Sequence, residues 1–152
     1  MKSGSFASLV KESAKGQKIS NSIELYNILS PIFAGKDKEE FVIVFLNSKN
    51  NIMKIKEMFS GTITSCHVYT RELVKEILKT KASAIICAHN HPSGDPKPSN
   101  EDIQITKKIM AACHSIDVQC HEHIIIGENG NYFSFSEHGQ ITKILSCIRR
   151  IF

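Results

Sequence analysis

The chain has 152 residues, 41% hydrophobic, 22% charged and 7% aromatic. That is the make-up of a globular domain with a core of its own, and it excludes a disordered or fibrous chain. No window approaches a transmembrane helix, and the N-terminal stretch has no apolar run of signal-peptide length, so a cytoplasmic protein without a membrane partner is expected. The net charge is +4, and the basic excess lies partly in KTK (79–81), TKK (106–108) and the tail CIRRIF. It permits nucleic acid as a partner but reads as solvated helix faces rather than as a footprint for one.

Residues 1–19, rich in Ser, Lys and Gly, are expected to be a flexible segment ahead of a domain over 20–152. SNSIELYNIL opens a helix: Asn21 and Glu24 have capping-box-like spacing, and Leu25, Ile28, Leu29 and Ile32 form one stripe. EEFVIVFLN, apolar throughout, is a central strand, and NIMKIKEMFSG is the strand that returns beside it after SKNN. TRELVKEILKTKA is an amphipathic helix with Leu73, Val74, Ile77 and Leu78 inward. SAIICA is a short buried strand. SNEDIQITKKIMAACHSI is a helix with Ile103, Thr106, Ile109, Met110 and Cys113 inward. DVQCHEHIIIGENGNYFSFS is two strands about an Asn129–Gly130 turn, and the tail adds a short helix. Helices mixed with hairpins and a crossover predict an α/β sandwich with a mixed sheet.

The cysteines, Cys66, Cys87, Cys113, Cys120 and Cys147, are odd in number and have no CxxC spacing. Several lie in apolar segments, so reduced, buried thiols are expected rather than disulfides or a thiolate metal site.

The stretch AHNHPSGDPKPSNED (88–102) carries the chemistry. If the SAIICA strand persists, His89 and His91 at i and i+2 point to the same side. Asp102 follows one loop later, at the start of a helix. Two neutral imidazoles and a carboxylate suit a catalytic zinc, with the fourth position left to water. Ser99-x-x-Asp102 is also what a helix N-terminus looks like, with Ser99 as N-cap. The two readings are compatible, because a cap fixes where Asp102 points.

Glu57 is an independent clue. Alternation along NIMKIKEMFSG puts Met53, Ile55, Glu57 and Phe59 on one face and Lys54 and Lys56 on the other. A carboxylate in the apolar phase is costly without a partner, and water at a metal would be one. The alternative is a strand that bulges or ends before Glu57, leaving it in solvent.

HNHPSGDPKPSNED resembles the metal-binding stretch of the RadC-like proteins, a bacterial branch of the JAB/MPN metalloprotease superfamily. That superfamily's JAMM signature is an upstream glutamate, then H-x-H, seven residues, Ser, two residues and Asp. EMFSGT, REL and HIIIGENGNYFSFSEHG are similar to other parts of the family, so the resemblance runs from about Ser20 to Ile141. It implies a three-layer α/β sandwich related to the cytidine deaminase-like architecture. It also implies His89, His91 and Asp102 as zinc ligands, Glu57 as general acid/base and Ser99 as a group steadying the oxyanion or the water. The activity implied is metal-assisted hydrolysis of a peptide or isopeptide amide, hence a protein or peptide substrate. The alternative is a non-catalytic protein- or DNA-binding domain associated with DNA repair, the role in the family's name. Longer relatives carry an upstream helix-hairpin-helix-like region for which this chain has no room, which weakens the DNA role. In CHEHIIIG, His123 matches a family histidine and His121 is additional; neither is expected to be a ligand of the main site.

Three lookalikes fail. The HNH nuclease motif is dispersed through a ββα unit, not contiguous. A zinc nucleobase deaminase needs H-x-E with a later P-C-x-x-C. No HExxH string occurs.

Overall fold

The computed structural model describes residues 3–61 and 68–151; Cys66 lies outside them. The elements are α1 (Ser3–Ala14), α2 (Ser22–Phe33), β1 (Glu40–Leu46), β2 (Ile52–Ser60), α3 (Thr70–Thr80), β3 (Ala84–Asn90), α4 (Asn100–Ser115), β4 (Gln119–Ile126), β5 (Tyr132–Ser134) and α5 (Gln140–Ile151). The strands form one sheet in the order β2-β1-β3-β4-β5. Among the described strands only β3 and β4, joined through α4, pair in parallel.

β1 is apolar on both faces because helices cover both. Phe41, Ile43 and Phe45, with Ile85 and Cys87 of β3, pack under α3, α4 and α5. Val42, Val44 and Leu46, with Ala84, Ile86 and Ala88, pack under α2 and the end of α1. Each fully buried side chain of this kind stabilises the fold by about 1.5–3 kcal/mol. The expected three-layer α/β sandwich with a mixed sheet is the arrangement that forms.

Within the segment expected to be flexible, residues 3–14 form α1. Its Ala7 and Ala14 are buried where the helix meets α2 and β2. Two alanines seven apart share a helix face but are too small to stand out from a polar background. In α3, Leu73 and Ile77 are buried, but Leu78 is 63% exposed. Glu76 goes inward instead and binds Lys54 Nζ at 2.7 Å and Lys56 Nζ at 3.0 Å on β2. In α4, Ile105 rather than Ile103 is buried.

Strict alternation fails along β2. Its pairing with β1 slips between Phe41 and Val42 and between Phe45 and Leu46. Glu57 therefore pairs with Val42 and Phe59 with Phe41, on opposite faces. The β4–β5 hairpin turns where expected: Asn129 (φ 54°) and Gly130 (φ 80°) are both left-handed, and Asn131 N–H donates to Glu128 O at 2.9 Å, as in a type I′ turn. The loop after β3 is seated on this hairpin. Glu128 N–H donates to Gly94 O at 3.0 Å, and a Cβ on Gly127 would lie only 2.4 Å from that same oxygen.

Candidate metal centre

Strand register and a helix cap assemble the centre. His89 is fully buried near the end of β3. It pairs with Phe41 of β1, and the two rings stack at 5.6 Å and 14°. His91 N–H donates to Ile126 O at 2.9 Å, so the β3–β4 ladder extends one residue further and keeps both imidazoles on one side. Asp102 comes from the first turn of α4. Ser99 Oγ accepts from Asp102 N–H at 3.1 Å and Asp102 Oδ2 accepts from Ser99 N–H at 2.8 Å. This reciprocal capping box aims the carboxylate outward from the helix start at both rings. Asp102 Oδ1 is 3.1 Å from His89 Nε2, and Oδ2 is 3.0 Å from His91 Nε2. The two Nε2 atoms are 3.1 Å apart. One nitrogen from each ring and one carboxylate oxygen thus lie within 4.8 Å of one another, close enough to share an ion.

Hydrogen bonds on the far side of each ring show that the donor set fits a metal. His91 Nδ1 is 2.9 Å from the carbonyl oxygen of Asp95. That oxygen only accepts, so Nδ1 carries the proton and Nε2 of a neutral ring is bare. His89 Nδ1 is 2.7 Å from His123 Nε2. His123 Nδ1 is 2.5 Å from Thr106 Oγ1, whose hydroxyl donates to the carbonyl oxygen of Asp102 at 2.7 Å. Running the chain back from that carbonyl puts a proton on His123 Nδ1 and another on His89 Nδ1. His89 Nε2 is then bare as well. Two bare imidazole nitrogens beside a carboxylate make a donor set that could hold a metal ion, with each ring oriented by a partner behind it.

The electrostatics describe the competing state, in which a proton rather than an ion sits on each Nε2. Burial would push the Asp102 carboxyl up, but hydrogen bonds from His89 and His91 outweigh it and hold the group well below the usual carboxylate range. Burial likewise pushes His91 down, yet its bonds to Asp102 and the Asp95 carbonyl, with the charges of Asp102 and Glu39, leave it raised. His123 is pushed far down by its burial and by the neighbouring His89, so it stays neutral.

The other site residues expected from the sequence fall in different places. Ser99 is exposed at the mouth of the centre and caps α4. Glu57 is exposed. Its partner Val42 also pairs with Ala88, and Val42 and Ala88 both belong to the core beneath α2. Glu57 is therefore on the face turned away from His89. Glu39 is an acid aligned with the centre by strand register. It precedes β1 in the phase of Phe41, and the antiparallel β1–β3 register carries it toward His91, whose pKa its charge raises. Asn90 clamps this segment from both sides. Its Oδ1 accepts from Glu40 N–H at 2.8 Å and its Nδ2 donates to Lys38 O at 3.0 Å. The middle residue of His-Asn-His thus ties the ligand strand to the backbone that bears Glu39.

His121, at a slip in the β3–β4 register, donates to Asn50 Oδ1 at 3.1 Å and is not among the grouped ligands. Glu122 turns to the opposite face from His123. There it accepts from Ser134, Ser136 N–H, His123 N–H and Ser22, a knot that fixes β4 against β5 and the start of α2. Cys87, Cys113 and Cys120 are buried free thiols and Cys147 is exposed. Beside His91, an open cleft of about 400 Å³ runs between α2 and the β4–β5 turn, with Tyr26, Phe33, Pro92 and Glu128 in its walls. Among the described residues no helix is long and apolar enough to cross a membrane.

Comparison with known proteins places this geometry in context. The sequence profile of the family described as RadC-like JAB domain matches residues 19–140. A UPF0758 protein of Haemophilus ducreyi is 49% identical over 102 residues, which are 67% of this chain and 45% of that protein. UPF0758 proteins of Actinobacillus pleuropneumoniae serotypes 5b and 3 are each 46% identical over 102 residues, 67% of this chain and 46% of theirs. The chain therefore spans less than half the length of these relatives.

Proposed function

Because this chain belongs to the RadC-like JAB domain family, we propose that it is a zinc-dependent hydrolase of JAMM type acting on a peptide or isopeptide amide. The observation that carries the reading is the pair of bare Nε2 atoms facing one carboxylate. Zinc held by His89, His91 and Asp102 would supply a water acidified toward neutrality and a Lewis acid for the substrate carbonyl. The remaining work falls to side chains. Glu39, beside His91, takes a proton as water adds to the carbonyl carbon. It returns that proton to the amine nitrogen as the C–N bond breaks. Ser99 Oγ accepts the capping bond from Asp102 N–H and still has its own proton to donate toward the developing oxyanion. Glu39 is assigned the acid/base role in place of Glu57, with the support that the β1–β3 register aligns Glu39 with His91 while Glu57 pairs with Val42 on the other face.

The test is hydrolysis of a panel of peptides and lysine isopeptides by the zinc-loaded chain, with Glu39→Gln beside it. The reading expects turnover of at least one amide by wild type and its loss in the variant with zinc retained. Equal turnover by both would refute Glu39's role, and no turnover of any amide by the loaded wild type would refute the reading itself.

A further inference from the structure

We propose that His123 and Thr106 are positioning residues that hold His89 in the metal-binding tautomer; the inference rests on His89, His91 and Asp102 being the ligands. The basis is a chain of hydrogen bonds from His89 to the backbone of Asp102, whose carboxylate faces the other side of the same His89 ring. The carboxylate faces His89 Nε2 at 3.1 Å, and His89 Nδ1 meets His123 Nε2 at 2.7 Å. His123 Nδ1 meets Thr106 Oγ1 at 2.5 Å, and Thr106 Oγ1 donates to Asp102 O at 2.7 Å. Asp102 and Thr106 are one helical turn apart in α4, so a single helix supplies both the carboxylate and the hydroxyl.

Both nitrogens of His123 are used, which leaves it nothing to offer a metal. Its place is fixed by packing as well. The ring stacks on Phe135 at 4.7 Å and 16° and meets Phe41 edge-on at 5.5 Å, and His123, Phe41 and Phe135 are all fully buried. The residue behind a ligand histidine is most often a carboxylate, a carbonyl or water. A carboxylate between two phenyl rings would be a costly buried charge. A neutral imidazole accepts the His89 proton without one, and Thr106 completes the chain. The hydroxyl of Thr106 sets direction here: its proton goes to the Asp102 carbonyl, so its oxygen can only accept from His123.

The test uses the whole chain, with zinc alone as probe. Affinity is read by competition with a chromophoric chelator, and the imidazole tautomers by nitrogen NMR of the metal-free protein. His123→Phe keeps an aromatic ring in the stack but removes the acceptor. It is expected to weaken zinc binding by about 10- to 100-fold and to erase the pure Nδ1–H signature of His89. Thr106→Val should shift both readouts in the same direction, and Thr106→Ser should restore them. His123→Phe with wild-type affinity and an unchanged His89 tautomer overturns the proposal. If that variant does not fold, the Thr106 pair decides, and equal behaviour of Val and Ser overturns it. Wild type that binds no zinc removes the metal reading itself, an outcome separate from a failed variant.

Discussion

The Asp102 carboxylate accepts from the Ser99 backbone N–H at 2.8 Å while standing 3.0 Å from His91 Nε2 and 3.1 Å from His89 Nε2. One group is both helix cap and candidate ligand. Folding the first turn of α4 therefore builds part of the centre, and the two roles separate by mutation. Ser99→Ala removes the hydroxyl that caps Asp102 N–H but leaves the backbone bond that aims the carboxylate. It should lower stability by about 0.5–2 kcal/mol and keep zinc. Thermal unfolding together with metal content checks this; a variant that unfolds like wild type, or that loses its zinc, would count against the division of roles.

Glu39 and Glu57 make opposite predictions. Glu39→Gln should keep zinc and slow hydrolysis by about a hundredfold to ten-thousandfold. Glu57→Gln should leave both unchanged, since its side chain is exposed on the far face. Asn90→Ala releases the Lys38–Glu40 backbone and should lower kcat with zinc still bound. Loss of activity in Glu57→Gln with Glu39→Gln unimpaired would reverse the assignment.

How far the site was legible depended on how local each signal was. His89, His91, Ser99 and Asp102 lie within fourteen consecutive positions, and strand period plus a capping pattern place them together without knowledge of the fold. The proposed acid does not follow this way. Glu39 is aligned with His91 because β3 pairs with β1 rather than with β2, and sheet order is not written in any single segment. Glu57 was suggested by an alternation that Met58 interrupts: the register passes from Phe59 directly to Glu57. Leu78 and Glu76 exchanged expected places for a similar reason. Two lysines on β2 made a buried carboxylate affordable and left the leucine in solvent. His123 fitted the family pattern, but its contact with His89 became visible only once β4 lay beside β3.

The Glu76 ion pairs give a stability prediction with a definite sign. Bonds from Lys54 and then Lys56 lower the Glu76 pKa from 4.5 to about 2. A depressed folded pKa means that the contribution is fully present above pH 4.5 and is lost as pH falls toward 2. Both lysines are partly exposed, so solvent screening limits the effect to about 1 kcal/mol or less. Glu76→Gln should therefore lower Tm at neutral pH and converge with wild type near pH 2. A gap that persists at that pH would point to packing rather than charge.

Gly127 is predicted to be sensitive although it touches no ligand. A methyl there would sit 2.4 Å from the Gly94 carbonyl oxygen, so the loop that carries Asp95 and presents Ser99 must move. Gly127→Ala should cost about 1–3 kcal/mol and weaken zinc binding through the lost hold on His91 Nδ1. Denaturant unfolding and chelator competition read the two effects, and wild-type values for both would show that the loop does not depend on this contact.

The most direct test is elemental analysis of the purified chain beside His91→Ala, with circular dichroism to confirm that both are folded. The prediction is about one zinc per chain in wild type and a marked loss in His91→Ala. Equal metal content in the two folded proteins would contradict it.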